Sequence, residues 1–159
     1  MITILQQQSL SITTISDINI GLLLSLSVSS NQCNFIEPVL TCLEDAQKDG
    51  RYTPVALYYQ HNLCGFAMYG LFEEKNQKRV WLDRYLISSA YQGKGLGKRF
   101  ARLLMDFLIK EYQQKSLYLS VYEDNIVAIK LYQQLGFKFN GEVDINGEKV
   151  MVCLHKLSC

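Results

Sequence analysis

The chain has 159 residues, of which 48% are hydrophobic and 19% charged, and its formal net charge at pH 7 is +1. This composition excludes disordered, fibrous and coiled-coil chains, and the length favours one domain over residues 1–159. The near-neutral charge gives no general attraction to nucleic acid, and the longest apolar stretch, Ile20 to Val28, is too short to span a membrane. We therefore expect neither a nucleic-acid nor a membrane partner.

The first half of the chain predicts four strands and two helices. In chain order they are a strand at Ile2–Leu5, a helix over Ile18–Leu24, a helix from Pro38 to about Asp49, and strands at Val55–Tyr59, Leu63–Leu71 and Arg79–Ile87. Asp17 is a suitable cap for the first helix, and Gly50 a suitable end for the second. The polar turn Gln60–Asn62 makes a hairpin of the second and third strands, and a charged loop at Glu73–Lys78 precedes the fourth.

The second half predicts two helices and three strands. They are a long amphipathic helix opened by a glycine-rich turn, a strand at Leu117–Val121, a helix capped by Asp124 or Asn125 and ended by Gly136, and strands at about Phe137–Val143 and Lys149–His155. The long helix follows from apolar residues at 96, 100, 103, 104, 107 and 108, which lie on one helical face. Asn146-Gly147 predicts a type I′ hairpin turn between the last two strands. The order β-α-α-β-β-β-α-β-α-β-β indicates an α/β chain with a mixed sheet.

Cysteine and histidine residues show no metal or disulfide pattern. The five cysteines contain no C-x-x-C pair, and His61 and His155 are isolated in the sequence. Such thiols are expected to be buried or incidental, so no metal is assigned. The segment Met1 to Ile4 has no basic residue ahead of an apolar core, which predicts no secretory signal and a cytoplasmic protein.

Charge is distributed unevenly along the chain. Residues 1–50 contain five carboxylates and one lysine, whereas residues 90–159 contain ten basic and seven acidic residues. The asymmetry fits a cation bound by the first part and an anion bound by the second. It fits equally well two solvated surfaces that bind no ligand.

The glycine-rich turn from Gly93 to Gly97 follows a strand and opens the long helix. Unpaired N–H groups and a partial positive charge at a helix N-terminus make such a turn a site for an anion such as phosphate. The dinucleotide motif G-x-G-x-x-G is excluded because Lys98 and Phe100 occupy the positions of its last glycine. A P-loop is excluded because Gln92 and Arg99 replace its first glycine and its Ser or Thr.

Two motifs carry a resemblance to a known family. Residues 92–97 read Q-x-x-G-x-G, and residues 125–137 read N-x-x-A-x-x-L-Y-x-x-x-G-F. Both resemble signatures of the GNAT family of acetyl-CoA-dependent N-acetyltransferases, and the similarity extends from about Val55 to the end of the chain. Fragments such as Gly65–Phe72 and Val80–Arg84 look like bacterial spermine/spermidine acetyltransferases of that family. The resemblance implies a single α/β domain with a mixed, mostly antiparallel sheet flanked by helices.

The resemblance also implies where acetyl-CoA, the cosubstrate, would bind. The main chain of the glycine-rich turn would hold the pyrophosphate, and the backbone of Leu86 and Ile87 would pair with the pantetheine arm like an added strand. Asn125 would hydrogen-bond the same arm, and Lys98 or Arg99 would reach the 3′-phosphate. The candidate cofactor-binding residues are Leu86, Ile87, Gln92, Gly93, Lys94, Gly95, Leu96, Gly97, Lys98 and Asn125.

Acetylation of an amine requires a base and an acid. A primary amine with a pKa of about 10.4 is protonated at neutral pH, so a carboxylate must help to remove its proton, and the resemblance places Asp83 in that role, acting directly or through water. The leaving group is a thiolate, and the resemblance makes the phenol of Tyr132 the group that donates a proton to it. An N–H near Leu86 would stabilise the developing oxyanion. The alternative for Asp83 is a strand carboxylate that only pairs with Arg84 or another cation.

Carboxylates near the first helices are the candidate ligands of a polycationic amine. They are Glu37, Glu44 and Asp45, with Glu37 first because it stands at the entrance of the second helix. The alternative is that Glu37 only complements the helix dipole. We therefore expect an enzyme that acetylates spermine or spermidine by direct attack, and the sequence is compatible with a homodimer. Alternatives are acetylation of a peptide N-terminus, a lysine or an aminoglycoside, and a non-catalytic acyl-CoA-binding module.

Overall fold

An eight-stranded sheet forms the centre of the computed structural model, which describes residues 1–28, 30–32, 35 and 37–155. Its strands are β1 (Thr3–Gln7), β2 (Leu10–Thr14), β3 (Tyr52–Tyr59), β4 (Asn62–Glu74), β5 (Gln77–Ile87), β6 (Ser116–Val121), β7 (Lys138–Val143) and β8 (Lys149–Leu154). The α-helices are α1 (Ile20–Leu24), α2 (Val39–Lys48), α3 (Leu96–Tyr112) and α4 (Ile126–Gln134). Short 3-10 helices cover Ser30–Gln32 and Ser89–Tyr91. Within these ranges, no helix is long and apolar enough to cross a membrane.

The strands lie in the order β1-β2-β3-β4-β5-β6-β8-β7. Every neighbouring pair is antiparallel except β5 and β6, which are parallel. This arrangement confirms the mixed, mostly antiparallel sheet that the sequence predicts. A parallel pair needs a crossover connection, and α3 supplies it while packing against both β5 and β6.

Helices cover both faces of the sheet. On one face, Phe100 and Leu104 of α3 are fully buried in the larger core, which confirms the predicted apolar face of that helix. On the other face, Leu23 of α1 and Cys42 of α2 join a smaller core. Successive residues of β3 alternate between the two cores, as the two-residue period of a strand requires.

β5 and β6 separate soon after they meet. Their ladder contains the pairs Val80–Leu117 and Trp81–Tyr118 and then ends. The rest of β5, up to Ile87, is paired with β4 on one side but with no strand of the described chain on the other. An unpaired strand edge offers N–H and C=O groups to an extended ligand. The fold therefore opens a cleft at the carboxyl ends of these two strands.

Strand β2 (Leu10–Thr14) has no counterpart in the element order that the sequence predicts. Leu10 and Ile12 are buried and Ser11 between them is half-buried, but Thr13 is buried as well, so the alternation of a strand with one covered face holds over only three residues. The chain reverses direction before it with Gln8 at a φ of 53°. Neither glycine nor asparagine occupies that turn, and the usual sequence signal for a hairpin is therefore absent.

The predicted charged loop at Glu73–Lys78 is wrong. β4 and β5 both extend into this segment, and the connection is a two-residue turn in which Lys75 and Asn76 have φ values of 50° and 64°. Positive φ at both central residues matches the twist of a tight hairpin. Lysine is an unusual residue for the first of these positions, which explains why the sequence favoured a loop.

The predicted type I′ turn at Asn146-Gly147 is also wrong in type, although the hairpin is present. Only Gly147 has a positive φ there, at 82°. The Asp144 Oδ1 atom accepts hydrogen bonds from the backbone N–H groups of Asn146 (2.8 Å) and Glu148 (2.9 Å). These side-chain bonds add to the backbone bond from the Gly147 N–H to the Asp144 carbonyl oxygen (3.1 Å) and stabilise a longer connection between β7 and β8.

Candidate active site

A cavity of about 560 Å³, here called the cleft, lies between the separated ends of β5 and β6. Its walls are residues 82–87 of β5, residues 119–122 at the end of β6, α4, and the segment before α2. The volume is in the range of cavities that bind small molecules. The sequence-predicted residues that line it are Glu37, Asp83, Leu86, Ile87, Gln92, Gly93, Gly97, Asn125 and Tyr132.

The glycine-rich turn leaves the first N–H groups of α3 uncapped, because its N-cap residue, Gly95, has no side chain to bond them. Gly93 and Gly95 have φ values of 75° and 74°, a region that favours glycine. A Cβ atom built at either position would meet no heavy atom within 4 Å. Backbone conformation and an open approach, rather than internal packing, therefore account for these two glycines.

Two hydrogen bonds connect the glycine-rich turn to the end of β5. Gln92 donates from Nε2 to the carbonyl oxygen of Ile87 (2.8 Å), and it also donates to Oε1 of Gln32 (2.8 Å). The Tyr85 hydroxyl donates to the carbonyl oxygen of Gly97. These contacts fix the glycine-rich turn relative to the unpaired edge of β5. Tyr85 was not selected from the sequence, since nothing in a strand tyrosine reveals its partner.

The basic residues beside the turn point in different directions. Lys98 Nζ lies 3.4 Å from Oε1 of Gln134 on α4. The Arg99 guanidinium stacks over the ring of Tyr59 at 5.8 Å, toward the other end of the sheet. Of the two candidates for a 3′-phosphate, Lys98 is therefore the one beside α4. The predicted cofactor-binding residues that do not line the cleft are Lys94, Gly95, Leu96 and Lys98.

Helix α4 contributes Asn125 and Tyr132 to the cleft. Asn125 caps the helix, since its Oδ1 accepts from the N–H of Ala128 at 3.3 Å. The Tyr132 ring packs edge-on against Phe137, with 5.8 Å between ring centroids. Burial raises the pKa of Tyr132 above its ordinary value, and the nearby Glu148 carboxylate adds to the effect. The Tyr132 hydroxyl therefore carries its proton at neutral pH, as a proton donor must.

Asp83 occupies a bulge in β5. Met68 of β4 pairs with Arg84, and the next residue, Tyr69, pairs with Leu82, which leaves Asp83 without a partner. Arg84 Nη1 donates to Asp83 Oδ2 at 2.8 Å, so the pairing considered as an alternative is present. Burial nevertheless raises the pKa of Asp83, and Arg84 only partly opposes this. Asp83 thus remains in the cleft as a carboxylate that is a better base than an exposed aspartate.

The three proposed amine ligands do not lie together. Glu37 lines the cleft and pairs through Oε1 with Arg84 Nη2 at 3.0 Å. Glu44 and Asp45 lie on α2 and do not line the cleft. Asp45 is still close enough to contribute to the raised pKa of Asp83. The structure therefore brings one of the three carboxylates to the site directly and a second one to its vicinity.

Glu148 was not selected from the sequence, but it lines the cleft from the β7–β8 hairpin. Burial raises its pKa to about 7, and the neighbouring Asp144 carboxylate contributes to the rise. Glu148 follows a glycine turn like many surface glutamates, so no local pattern distinguishes it. Its place is decided by the pairing of β8 with β6, which brings the hairpin to the end of the cleft.

No group of three or more His, Cys, Asp or Glu side chains within the described ranges is arranged to hold a metal ion. Cys42, Cys64 and Cys153 are free thiols. Burial raises the pKa of Cys42 to about 11 and that of Cys64 to about 12, so both are inert thiols at neutral pH. Cys33 and Cys159 lie outside the described residues.

Comparison with known proteins agrees with this geometry. Residues 23–137 match the model of the Acetyltransferase (GNAT) family, and the chain belongs to this family. The spermine/spermidine N(1)-acetyltransferase of Bacillus subtilis (strain 168) is 52% identical over 148 residues, covering 91% of this chain and 97% of that protein. The spermidine N(1)-acetyltransferase of Escherichia coli (strain K12) gives a shorter match, 45% identical over 58 residues, which covers 36% of this chain and 31% of that protein.

Solved structures share the fold. The spermidine N-acetyltransferase from Vibrio cholerae, in complex with CoA and spermine, superposes with a TM-score of 0.71 at 19% identity, covering 92% of this chain and 96% of that one. The aminoglycoside acetyltransferase AAC(6′)-Ib superposes with a TM-score of 0.75 at 17% identity, covering 92% and 94%. Acetyltransferases that act on different amines superpose on this chain equally well. These similarities therefore establish the fold, and the amine substrate has to be inferred from the residues of the site.

Proposed function

We propose that this chain transfers the acetyl group of acetyl-CoA to a primary amine of spermine or spermidine. The observation that carries the proposal is a single cleft that joins an uncapped helix N-terminus to a group of carboxylates. The helix N-terminus suits a pyrophosphate, and the carboxylates suit a polycation. The 52% identical relative, which matches nearly the whole chain, is named a spermine/spermidine N(1)-acetyltransferase.

The cleft fits acetyl-CoA, which supplies an activated acetyl thioester. The free edge of β5 offers the backbone of Leu86 and Ile87 to the pantetheine arm, as an added strand would require. The main chain from Gln92 to Lys98 would hold the pyrophosphate, with open space around the two glycines of positive φ. Asn125 would bond the same arm, because it lines the cleft and its Oδ1 alone is used by the helix cap.

Asp83 and Tyr132 provide the proton transfers. Asp83, whose pKa is raised by burial, takes a proton from the substrate ammonium group through water. The free amine then attacks the thioester carbonyl carbon, the carbon–sulfur bond breaks, and Tyr132 donates its proton to the departing thiolate. The nitrogen gives up its second proton as the amide forms, and transfer of that proton through water to the Tyr132 oxygen restores the phenol. A backbone N–H near Leu86 stabilises the negative charge on the carbonyl oxygen during the attack. No acyl-enzyme is needed, since the amine and the thioester share one cleft.

A steady-state screen tests this proposal. Spermine, spermidine, an N-terminal peptide, a lysine peptide and an aminoglycoside are each assayed with acetyl-CoA by release of the CoA thiol. We expect kcat/KM for the polyamines to exceed that for the other amines by at least about tenfold. A higher kcat/KM for a peptide or an aminoglycoside would assign a different substrate. Binding of acetyl-CoA without turnover of any amine would make the chain a non-catalytic acyl-CoA-binding module.

A further inference from the structure

Glu148 differs from the other carboxylates that line the cleft. Asp83 and Glu37 each pair with Arg84, at 2.8 Å and 3.0 Å. In the part of the chain that the structure describes, no lysine or arginine forms an ion pair with Glu148. Among the described residues that line the cleft, Arg84 is the only lysine or arginine, and both of its ion pairs are with other carboxylates. Glu148 therefore faces the cavity without an ion-pair partner of its own.

The groups around Glu148 are mostly acidic. Asp144 of the same hairpin hydrogen-bonds its carboxyl group, Asp83 and Arg84 act on it from β5, and Tyr132 faces it from α4. Asp144 also accepts the Glu148 backbone N–H at 2.9 Å, which holds the residue at the edge of the cleft. Two adjacent carboxyl groups in a half-buried site repel each other when both are ionised. A cation bound between them would relieve that repulsion.

We propose that Glu148, held in place by Asp144, binds the second ammonium group of the substrate, so that the cleft selects diamines and polyamines over monoamines. This inference rests on the proposed function, because it assigns the non-reacting nitrogen of the same amine. Asp83 and Tyr132, on β5 and α4, serve the reacting nitrogen, and Glu148 meets the chain of the amine from the β7–β8 hairpin. An ammonium–carboxylate pair in a partly buried site is a strong, charge-assisted contact.

The proposal has a pH dependence with a definite sign. Glu148 binds an ammonium group when it is ionised and not when it is protonated, and its pKa of about 7 places that change near neutrality. Polyamine binding therefore strengthens as the pH rises through about 7. A monoamine such as butylamine requires the same deprotonation of its reacting nitrogen but has no second ammonium group to bind Glu148. Dividing kcat/KM for the polyamine by kcat/KM for the monoamine cancels the deprotonation that both amines require. The pH dependence of this ratio therefore reports the contact between Glu148 and the second ammonium group.

The test compares spermidine with butylamine in the wild type, in Glu148→Gln and in Glu123→Gln. Glu123 is a matched control, an exposed glutamate that pairs with Lys149 and does not line the cleft. We expect Glu148→Gln to lower kcat/KM for spermidine by roughly 10-fold to 100-fold, mainly through KM, and that for butylamine by less than about threefold. Glu123→Gln should leave both values unchanged. Between about pH 6 and pH 8, the spermidine-to-butylamine ratio should rise in the wild type and stay level in Glu148→Gln.

Equal losses for the two amines in Glu148→Gln, or a wild-type ratio that does not change with pH, would overturn the inference while leaving polyamine acetylation intact. If the wild type acetylates no polyamine at all, the proposed function fails first and this inference fails with it. Asp144→Asn provides a second variant, since it keeps the turn acceptor but removes the neighbouring charge. It should move the pH midpoint of the ratio downward, and an unmoved midpoint would contradict the role of Glu148.

Discussion

At the level of single residues, Arg84 determines the balance of charge in the cleft. It bridges Asp83 and Glu37, and these two carboxylates raise its own pKa although burial opposes them. An arginine can hold two carboxylates in fixed positions because its planar guanidinium group has several donors. One cation against several carboxylates leaves the cleft with a net negative charge. Arg84 thus positions the acidic residues without neutralising the site.

Tyr132→Phe tests the proposed proton donor. The variant keeps the buried ring and its contact with Phe137 but removes the hydroxyl proton that would reach the leaving thiolate. We expect kcat to fall by roughly 10²-fold to 10⁴-fold, with the Kd of acetyl-CoA unchanged in calorimetry. Tyr118→Phe is the matched control, since Tyr118 lies on β6 against Trp81, outside the cleft. An unchanged kcat in Tyr132→Phe, with chemistry rate-limiting, would remove the acid role.

Glu37→Gln tests the contribution of the segment before α2 to amine binding. We expect KM for spermine to rise more than KM for a monoamine, because only the longer cation extends to a carboxylate at this edge of the cleft. High salt should produce a similar loss in the wild type. Glu44→Gln, an exposed carboxylate of α2 outside the cleft, serves as the control. Equal effects on both amines would mean that Glu37 pairs with Arg84 but does not bind the amine.

At the level of elements, the turn before α3 is the feature most specific to the cofactor. We expect Gly95→Asp to abolish acetyl-CoA binding in calorimetry, because it places a negative charge where the phosphate oxygens would lie and a side chain at a φ of 74°. Gly141→Asp is the control, since Gly141 also has a positive φ (86°) and open surroundings but lies on β7. It should cost similar backbone strain without weakening binding. Wild-type affinity in folded Gly95→Asp would mean that the phosphate site lies elsewhere.

The elements differ in how far the sequence predicts them. The apolar period of α3 extends over 17 residues, and both its presence and its buried face were predicted correctly. β2 has five residues and a glycine-free turn, so local signals were too weak to show it. The bulge at Asp83 is a shift in the register between β4 and β5, and the hydrophobic pattern of β5 alone does not indicate it. Short elements and irregular pairing depend on neighbours that the local sequence does not contain.

On the scale of the whole molecule, Arg79 of β5 and Glu142 of β7 connect distant strands of the sheet, with an ion pair of 2.8 Å. Hydrogen bonds from Arg79 and then from Lys75 lower the pKa of Glu142 to about 2. We expect Glu142→Gln to lower the free energy of unfolding by roughly 1–3 kcal/mol at pH 7, since it leaves the buried Arg79 without its main partner. Urea denaturation measures the loss, and Glu123→Gln should show a much smaller one.

The same ion pair predicts a pH dependence. Because the pKa of Glu142 is lowered by folding, its stabilising effect is complete above the ordinary value of 4.5 and is lost as the pH falls toward about 2. The difference in unfolding free energy between wild type and Glu142→Gln should therefore shrink over that interval. A difference that stays constant from pH 7 to about pH 2 would show that the loss comes from packing rather than from charge.

The sequence by itself determined the family, the α/β class, the glycine-rich turn and the α4 motif, because each depends on residues close together in the chain. It also placed Tyr132 and Asn125 on a helix and Asp83 on a strand. A cytoplasmic location and a homodimer stay predictions. Only the tertiary structure decided which carboxylates face the amine. Glu148 enters the cleft through the pairing of β8 with β6, and Glu44 lies outside it, since strand order and the early separation of β5 from β6 arise from contacts between residues far apart in the chain.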